Sequence, residues 1–370
     1  MTIQEIEFIP LQVPRDYGKR WHTALGAHAF ADAALVVLRG QDGACGFGEV
    51  SSIWDMGASG LIRGAGERLK NAVIGLDVFG VTAARKAMDA AVSWSREAYC
   101  LKAGIEMAMY DLIGRLLGIP AYQLLGGRLR DRAPVSRSVG MGTVTERLEQ
   151  ISNYYGKGYR AFKLKIGADY GEDLKAVAEV RKAYGESIFI RVDANMAFHE
   201  PKTVLSLSEK LYDLGVISLE QPLGPRDFEG LKFLRERSRV PIMADESVWD
   251  PRDALDAIHG GIADLMNVYV SEAGGLYNAR MMADLCDLSG TGFCIGSMPE
   301  LGVGTAAARH LAMAAPVISQ PSDLIGSTYF ADDIIEEPLP VKDGFAYCAD
   351  LPGLGVTIDW DKVEKYRTDK

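Results

Sequence analysis

Ala161-Phe162-Lys163-Leu164-Lys165-Ile166-Gly167 reads as a short apolar strand carrying two lysines two residues apart. Side chains alternate faces along a strand, so Lys163 and Lys165 project to the same side. Two ammonium groups held that close repel, which favours loss of a proton from one of them and leaves a base at working pH. Taken alone, the simpler account is an exposed edge strand with a solvated lysine face. The strands that follow argue against it.

Three of those strands end in acids. Residues 188–192 run into Asp193-Ala194-Asn195, residues 216–219 into Glu220-Gln221-Pro222, and residues 241–244 into Asp245-Glu246-Ser247. Acids at the carboxyl ends of three successive barrel strands converge on one mouth, where barrel active sites sit. Buried together, they repel unless a cation holds them. Hard oxygen ligands with room for water and substrate suit Mg²⁺, with Mn²⁺ as the alternative. One such acid alone would read as a helix N-cap at a βα turn. Three in consecutive units, directly after a lysine pair, read as a metal site of Asp193, Glu220 and Asp245.

The rest of the chain sets the frame. Its 370 residues exceed the usual single core and predict two packed domains, and a 48% hydrophobic content fills a large interior. The 50 acids outnumber the 40 bases, for a net charge of -10. With no basic run anywhere, this argues against a nucleic-acid partner. The polar amino terminus predicts no signal peptide, and no apolar run is long enough to span a membrane. Cys45, Cys100, Cys286, Cys294 and Cys348 are scattered, odd in number and without metal-type spacing, which predicts reduced thiols in the cytoplasm.

Residues 1–55 read as antiparallel strands turned by Gln41-Asp42-Gly43, and helical periodicity runs from about Leu61 to Leu125. Residues 1–130 therefore form an α+β capping domain. Its loop at 15–30 holds Tyr17, Lys19, Trp21 and His22 and reads as either a disordered excursion or a lid. From about Val135, apolar runs ending at Gly142, Gly167, Asn195, Leu223, Ser247, Val270, Ser297 and near Gly326 alternate with helical segments. That rhythm, without a dinucleotide glycine fingerprint, predicts an α/β fold with a (β/α)7–8 TIM-type barrel over 131–326. The tail, 327–370, is strand-like at 344–348 and 355–358 and is expected to complete the capping domain.

The order Lys163-Leu164-Lys165, Asp193-Ala194-Asn195, Glu220-Gln221-Pro222 and Ala244-Asp245-Glu246-Ser247, then a strand before Gly274-Gly275, resembles the enolase superfamily. The likeness is strongest to its muconate-lactonizing-enzyme-like subgroup. It extends to the Asp111-Leu112-Ile113-Gly114 helix, Tyr122-Gln123-Leu124-Leu125-Gly126-Gly127 and Pro352-Gly353-Leu354-Gly355-Val356, nearly the whole chain. The resemblance implies that Asp193, Glu220 and Asp245 bind Mg²⁺, and that the metal binds a substrate carboxylate. It implies that Lys165 is the base for an α-proton, its pKa lowered by Lys163 and the metal, and that Lys163 donates to a carboxylate oxygen. It also implies a symmetric homo-oligomer. Asn195 shares a face with Asp193 and is a candidate for orienting substrate. Glu246 points away from Asp245 on a strict strand and is placed behind the metal ligands, although the two can be exchanged.

The sequence departs from that family at the sixth strand. Where most of the subgroup carries a second lysine, this chain has Tyr269 in Asn267-Val268-Tyr269, and its seventh strand has no histidine for the alternative His-Asp dyad. A neutral phenol, with a reference pKa of about 10, donates a proton well but is a poor base near neutrality. One strong base with a phenol opposite suits β-elimination of water better than two-base racemisation. Trp21, His22, Ile53, Trp54, Met56 and Met298 are the candidate pocket wall, and Glu300 a candidate holder of a cationic amine. These features point to a small amino or imino acid and a hydroxyproline dehydratase-like reaction, for example on cis-3-hydroxy-L-proline. A racemase or epimerase of a proline-like or N-substituted amino acid is the second reading, and a non-catalytic metal-binding barrel the third.

Overall fold

The computed structural model describes residues 1–16, 23, 24, 26, 29–54, 56–93 and 95–369. Strands β1 (Ile3–Pro14), β2 (Phe30–Gly40) and β3 (Cys45–Ser51) form an antiparallel sheet in that order. The β2–β3 turn needs a left-handed residue, supplied by Asp42 at φ 67°. Helices α1 (Gly57–Leu61), α2 (Glu67–Val73), α3 (Val81–Ala91), α4 (Ala98–Leu117) and α5 (Ala121–Leu124) follow. Helix α4 is buried from Cys100 through Gly114 and stops at Gly118, which adopts φ 69°. Its small residues let β3 touch it backbone to backbone: a Cβ on Gly48 would lie 1.9 Å from the Gly104 carbonyl oxygen.

The chain then enters the barrel through β4 (Arg132–Pro134), β5 (Arg137–Val139) and α6 (Val144–Gly156). Alternation continues with β6 (Ala161–Lys165), α7 (Tyr170–Tyr184), β7 (Phe189–Asp193), α8 (Pro201–Asp213), β8 (Val216–Glu220) and α9 (Phe228–Arg237). It ends with β9 (Ile242–Ala244), α10 (Pro251–Gly260), β10 (Leu265–Val268), α11 (Leu276–Ser289), β11 (Gly292–Ile295) and α12 (Gly302–Ala314). Strands β5 to β11 make one parallel seven-stranded sheet in sequential order. Both faces of such a sheet are covered, so its strands are nearly continuously buried.

The ring closes through an extended segment, 319–323, rather than a regular eighth strand. Ser319 and Asp323 donate their N–H groups to Phe293 and Ile295 of β11, at 2.9 and 2.8 Å. On the other edge Ser322 donates to Pro134 and receives the N–H of Ser136, at 3.0 and 2.9 Å. Pro321 has no N–H to give, so the ladder cannot run regularly through it. The expected seven or eight units are thus seven strands and one irregular closing segment.

The tail packs back on earlier elements. Strands β12 (Val341–Lys342) and β13 (Phe345–Tyr347) extend from β4, and Gly353 docks on α4, where Asp111 accepts the Leu354 N–H at 2.7 Å. Residues 355–358 are not the strand the sequence suggested; Ile358 makes one bridge to Ile335. A helix the sequence reading passed over, α13 (Trp360–Tyr366), follows, capped by the Asp359 carboxylate on the Lys362 N–H. It lies along β1, with Thr368 bonded to Pro10. No helix among the described residues is long and apolar enough to cross a membrane.

Candidate active site

Register alone assembles the centre of the site. Lys165 pairs with Asp193 across β6–β7, Asp193 with Glu220 across β7–β8, and Glu220 with Met243 across β8–β9. Lys163 and Arg191 form the rung beneath, and Asp245 follows Met243 by two residues. Residues in register on a parallel sheet point the same way, so these side chains share the barrel interior at its carboxyl-terminal end. None of Lys163, Lys165, Asp193, Glu220 or Asp245 is more than 4% exposed.

Oxygen atoms of Asp193, Glu220 and Asp245 all lie within 4.8 Å of one another. Burial would raise the Asp193 carboxyl, but Lys165 and Lys163 pull it well below the usual carboxylate range. Glu220 is pushed up by burial and then by the Asp193 charge, and Asp245 by burial and then by Glu246. The buried Glu220 Oε2 also has no hydrogen-bond donor. Three converging carboxylates, two of them pushed up, with a spare oxygen are the donor set a hard divalent cation fits.

The surrounding bonds are specific. Lys165 Nζ donates to Asp193 Oδ2 at 2.5 Å and to Asn195 Oδ1 at 2.8 Å. Lys163 Nζ contacts Asp323 at 2.7 Å and Glu220 at 3.2 Å; these two acids outweigh burial and hold it protonated. Arg191 donates to the same Asp323 at 2.5 Å. The Tyr269 hydroxyl donates to Asp245 Oδ2 at 2.8 Å and accepts from Asn267 at 3.2 Å. Burial, and next the charge of Asp245, keep that phenol protonated.

Above these residues lies a cavity enclosing about 550 Å³, its open mouth included. Lys163, Lys165, Asn195, Asp245, Tyr269, Ile53, Trp54 and Met298 line it, as the sequence suggested. Thr23 of the 15–30 loop reaches it as well, while Tyr17, Lys19, Trp21 and His22 lie outside the described residues. Three expectations need correction. Glu246 does not point away: the chain leaves strand geometry after Ala244, and Glu246 lines the cavity, accepting from Asn195 at 3.0 Å. Glu300 does not face the cavity; its own turn takes both oxygens, through the Ser297 hydroxyl at 2.5 Å and the Met298 N–H at 3.0 Å. Met56 is 46% exposed and lies off the wall.

Sequence reasoning missed Glu272, Asp323, Ser138 and Tyr329, which also line the cavity, and Arg191 and Asn267 beneath it. Arg191 and Asn267 were findable by counting two residues back from Asp193 and Tyr269. Asp323 is a strand-end acid like the others, hidden because its strand is irregular. Glu272 lies in the turn after β10, where no periodicity signals it.

The chain matches two family profiles. One is Enolase C-terminal domain-like, over residues 146–362; the other is Mandelate racemase / muconate lactonizing enzyme, N-terminal domain, over residues 6–126. It is 30% identical to muconate cycloisomerase 1-2 of Acinetobacter lwoffii, with 100% of this chain and 96% of the relative covered. It is also 30% identical to L-Ala-D/L-Glu epimerase of Bacillus subtilis, covering 96% of this chain and 97% of that protein. The crystal structure of muconate lactonizing enzyme from Pseudomonas fluorescens complexed with muconolactone superposes with a TM-score of 0.94 at 29% identity, covering 99% of both chains.

Proposed function

The chain belongs to the mandelate racemase/muconate lactonizing enzyme family of the enolase superfamily, and from that premise we propose a one-base elimination. In it, the enzyme removes the α-proton of a small amino or imino acid carboxylate and expels a β-hydroxyl as water. The observation that carries this reading is the asymmetry of the pocket. Both of its ammonium groups, Lys163 and Lys165, come from β6, whereas β10, across the ring, is followed by the phenol of Tyr269. Among the described residues no other lysine, arginine or histidine lines the cavity.

Asp193, Glu220 and Asp245 would hold Mg²⁺, whose charge offsets the charge that grows on a substrate carboxylate when the α-proton leaves. Lys165 Nζ takes that proton, and Asn195 and Asp193 fix its position. Lys163, kept charged by Asp323, donates to a carboxylate oxygen of the enediolate. As the Cβ–O bond breaks and the Cα–Cβ double bond forms, Tyr269 gives its proton to the departing hydroxide, a far stronger base than phenolate. The four acids of the cavity wall, Asp245, Glu246, Glu272 and Asp323, favour a substrate with a cationic nitrogen. cis-3-Hydroxy-L-proline carries the required carboxylate, nitrogen and β-hydroxyl.

Epimerisation is the second reading, favoured by the epimerase among the relatives. In that case Tyr269 returns a proton to the far face of Cα. The two separate when the Mg²⁺-loaded enzyme is incubated with cis-3-hydroxy-L-proline and a panel of proline derivatives in D₂O and followed by proton NMR. Loss of water supports elimination. Deuterium at Cα with inversion of configuration and the skeleton intact supports epimerisation and overturns the first reading.

A further inference from the structure

Glu272 has no task in the steps above. It is 1% exposed, lines the cavity, and accepts the Trp54 indole N–H on Oε1 at 2.9 Å. Its other oxygen, Oε2, is buried and has no hydrogen-bond donor. Among the remaining wall acids, Asp323 is paired with Lys163 and Arg191, and Asp245 lies in the three-acid cluster. Glu246 gives one oxygen to Asn195 and also keeps a buried oxygen without a donor, but it directly follows Asp245 of that cluster in the chain. No lysine, arginine or histidine among the described residues forms an ion pair with Glu272; Arg96, the nearest candidate by charge, pairs with Asp253 and lies over Trp249 instead.

We propose that Glu272, oriented by Trp54, is the subsite for the cationic nitrogen of the substrate. A buried carboxylate oxygen without a donor is costly, and structures rarely keep one unless a ligand completes it. The chemistry of the missing partner follows from its neighbours. It must donate a hydrogen bond and carry positive charge, because burial first, and then the charges of Glu246 and Glu300, push the Glu272 carboxyl up, which a cation offsets. It must also be small, because Trp54, Tyr269 and Met298 share the same wall. The secondary ammonium of a proline-like amino acid meets all three conditions, as does a primary ammonium. A substrate so held spans the cavity, its carboxylate at the metal end and its nitrogen at Glu272. This sharpens the rejection of simple hydroxy acids, because a neutral isostere leaves Glu272 unpaired. Trp54 comes from the segment after β3, so the capping block sets the angle of a carboxylate rooted in the barrel.

The inference rests on the proposed amino-acid substrate class, but it is testable by binding alone. L-Proline and its carbocyclic isostere cyclopentanecarboxylate are titrated into the Mg²⁺-loaded enzyme by calorimetry, for the wild type, Glu272→Gln and Glu272→Asp. A charge-assisted hydrogen bond predicts that the wild type binds L-proline about 10- to 100-fold more tightly than the isostere. Glu272→Gln keeps an acceptor for Trp54 and should erase that preference through loss of proline affinity, with cyclopentanecarboxylate affinity and Mg²⁺ affinity unchanged. Glu272→Asp should keep part of it. A preference that survives in Glu272→Gln, or is absent from the wild type, overturns the subsite. Failure of the elimination reading looks different: proline binding through Glu272 persists, while no hydroxyproline loses water.

Discussion

At the scale of single residues, Lys165 carries the most weight. It is the cavity amine nearest to Asp193 and Asn195, and its partner lysine is held charged by Asp323. Lys165→Ala should therefore abolish both α-proton exchange and product formation, as measured by deuterium uptake and product NMR. Exchange that survives would transfer the base to another group. The proposed metal ligands make a second residue-level prediction. Glu220→Gln removes one of three converging carboxylates and should weaken Mg²⁺ binding measurably in a calorimetric titration; undiminished affinity would remove Glu220 from the site. These residues were legible because parallel register turns a sequence pattern into a spatial one. Where the backbone leaves strand geometry, that translation stops. Glu246 and Glu300 were misplaced for this reason, and Glu272 was overlooked in a turn.

At the scale of elements, close and buried contacts hold the capping block together and join it to the barrel. Gly48 of β3 admits no Cβ, because Gly104 of α4 stands 1.9 Å from where it would lie. Gly48→Ala should force the sheet and helix apart and cost about 1–3 kcal/mol or more, read from the urea midpoint. A wild-type midpoint would mean that β3 shifts freely. Another joint is His310 of α12, fully buried, whose Nδ1 accepts the Tyr122 N–H at 3.1 Å and is therefore unprotonated. Burial lowers its pKa to about 4, whereas the unfolded side chain titrates near about 6.5. Between those values the unfolded chain binds a proton that the folded one refuses. The contribution of His310 is thus intact above about pH 6.5 and falls as pH drops toward 4, by an amount on the order of 3 kcal/mol. His310→Asn, which keeps an acceptor for Tyr122, should lose less stability than the wild type over that interval. Identical pH profiles would show that the histidine titrates freely in the fold. The tight fit of α4 was visible in its run of small residues. The histidine joint was not, since one histidine on a helix carries no periodic signal.

At the scale of the whole molecule, a ring of parallel strands gathers three buried carboxylates at one mouth. Asp193, Glu220 and Asp245 repel one another in the folded chain and are free of that repulsion when it unfolds, so Mg²⁺ should stabilise the fold by linkage. At a concentration about 100 times its Kd the gain is about 2.7 kcal/mol, seen as a higher thermal midpoint that chelation reverses. The ring itself was legible from the alternation of strand and helix. Its closing segment and the tail were less so, because Pro321 interrupts one ladder and short strands such as β12 leave little pattern. The central claim is that Lys165 alone abstracts the proton while Tyr269 only gives one, and a single variant tests it most directly. Tyr269→Phe is incubated with cis-3-hydroxy-L-proline in D₂O, and α-proton exchange and water loss are followed in the same sample. The account predicts that exchange persists while elimination slows about 10²- to 10⁴-fold, the usual worth of a general acid. Full elimination by Tyr269→Phe, or loss of exchange together with elimination while Mg²⁺ remains bound, would contradict it.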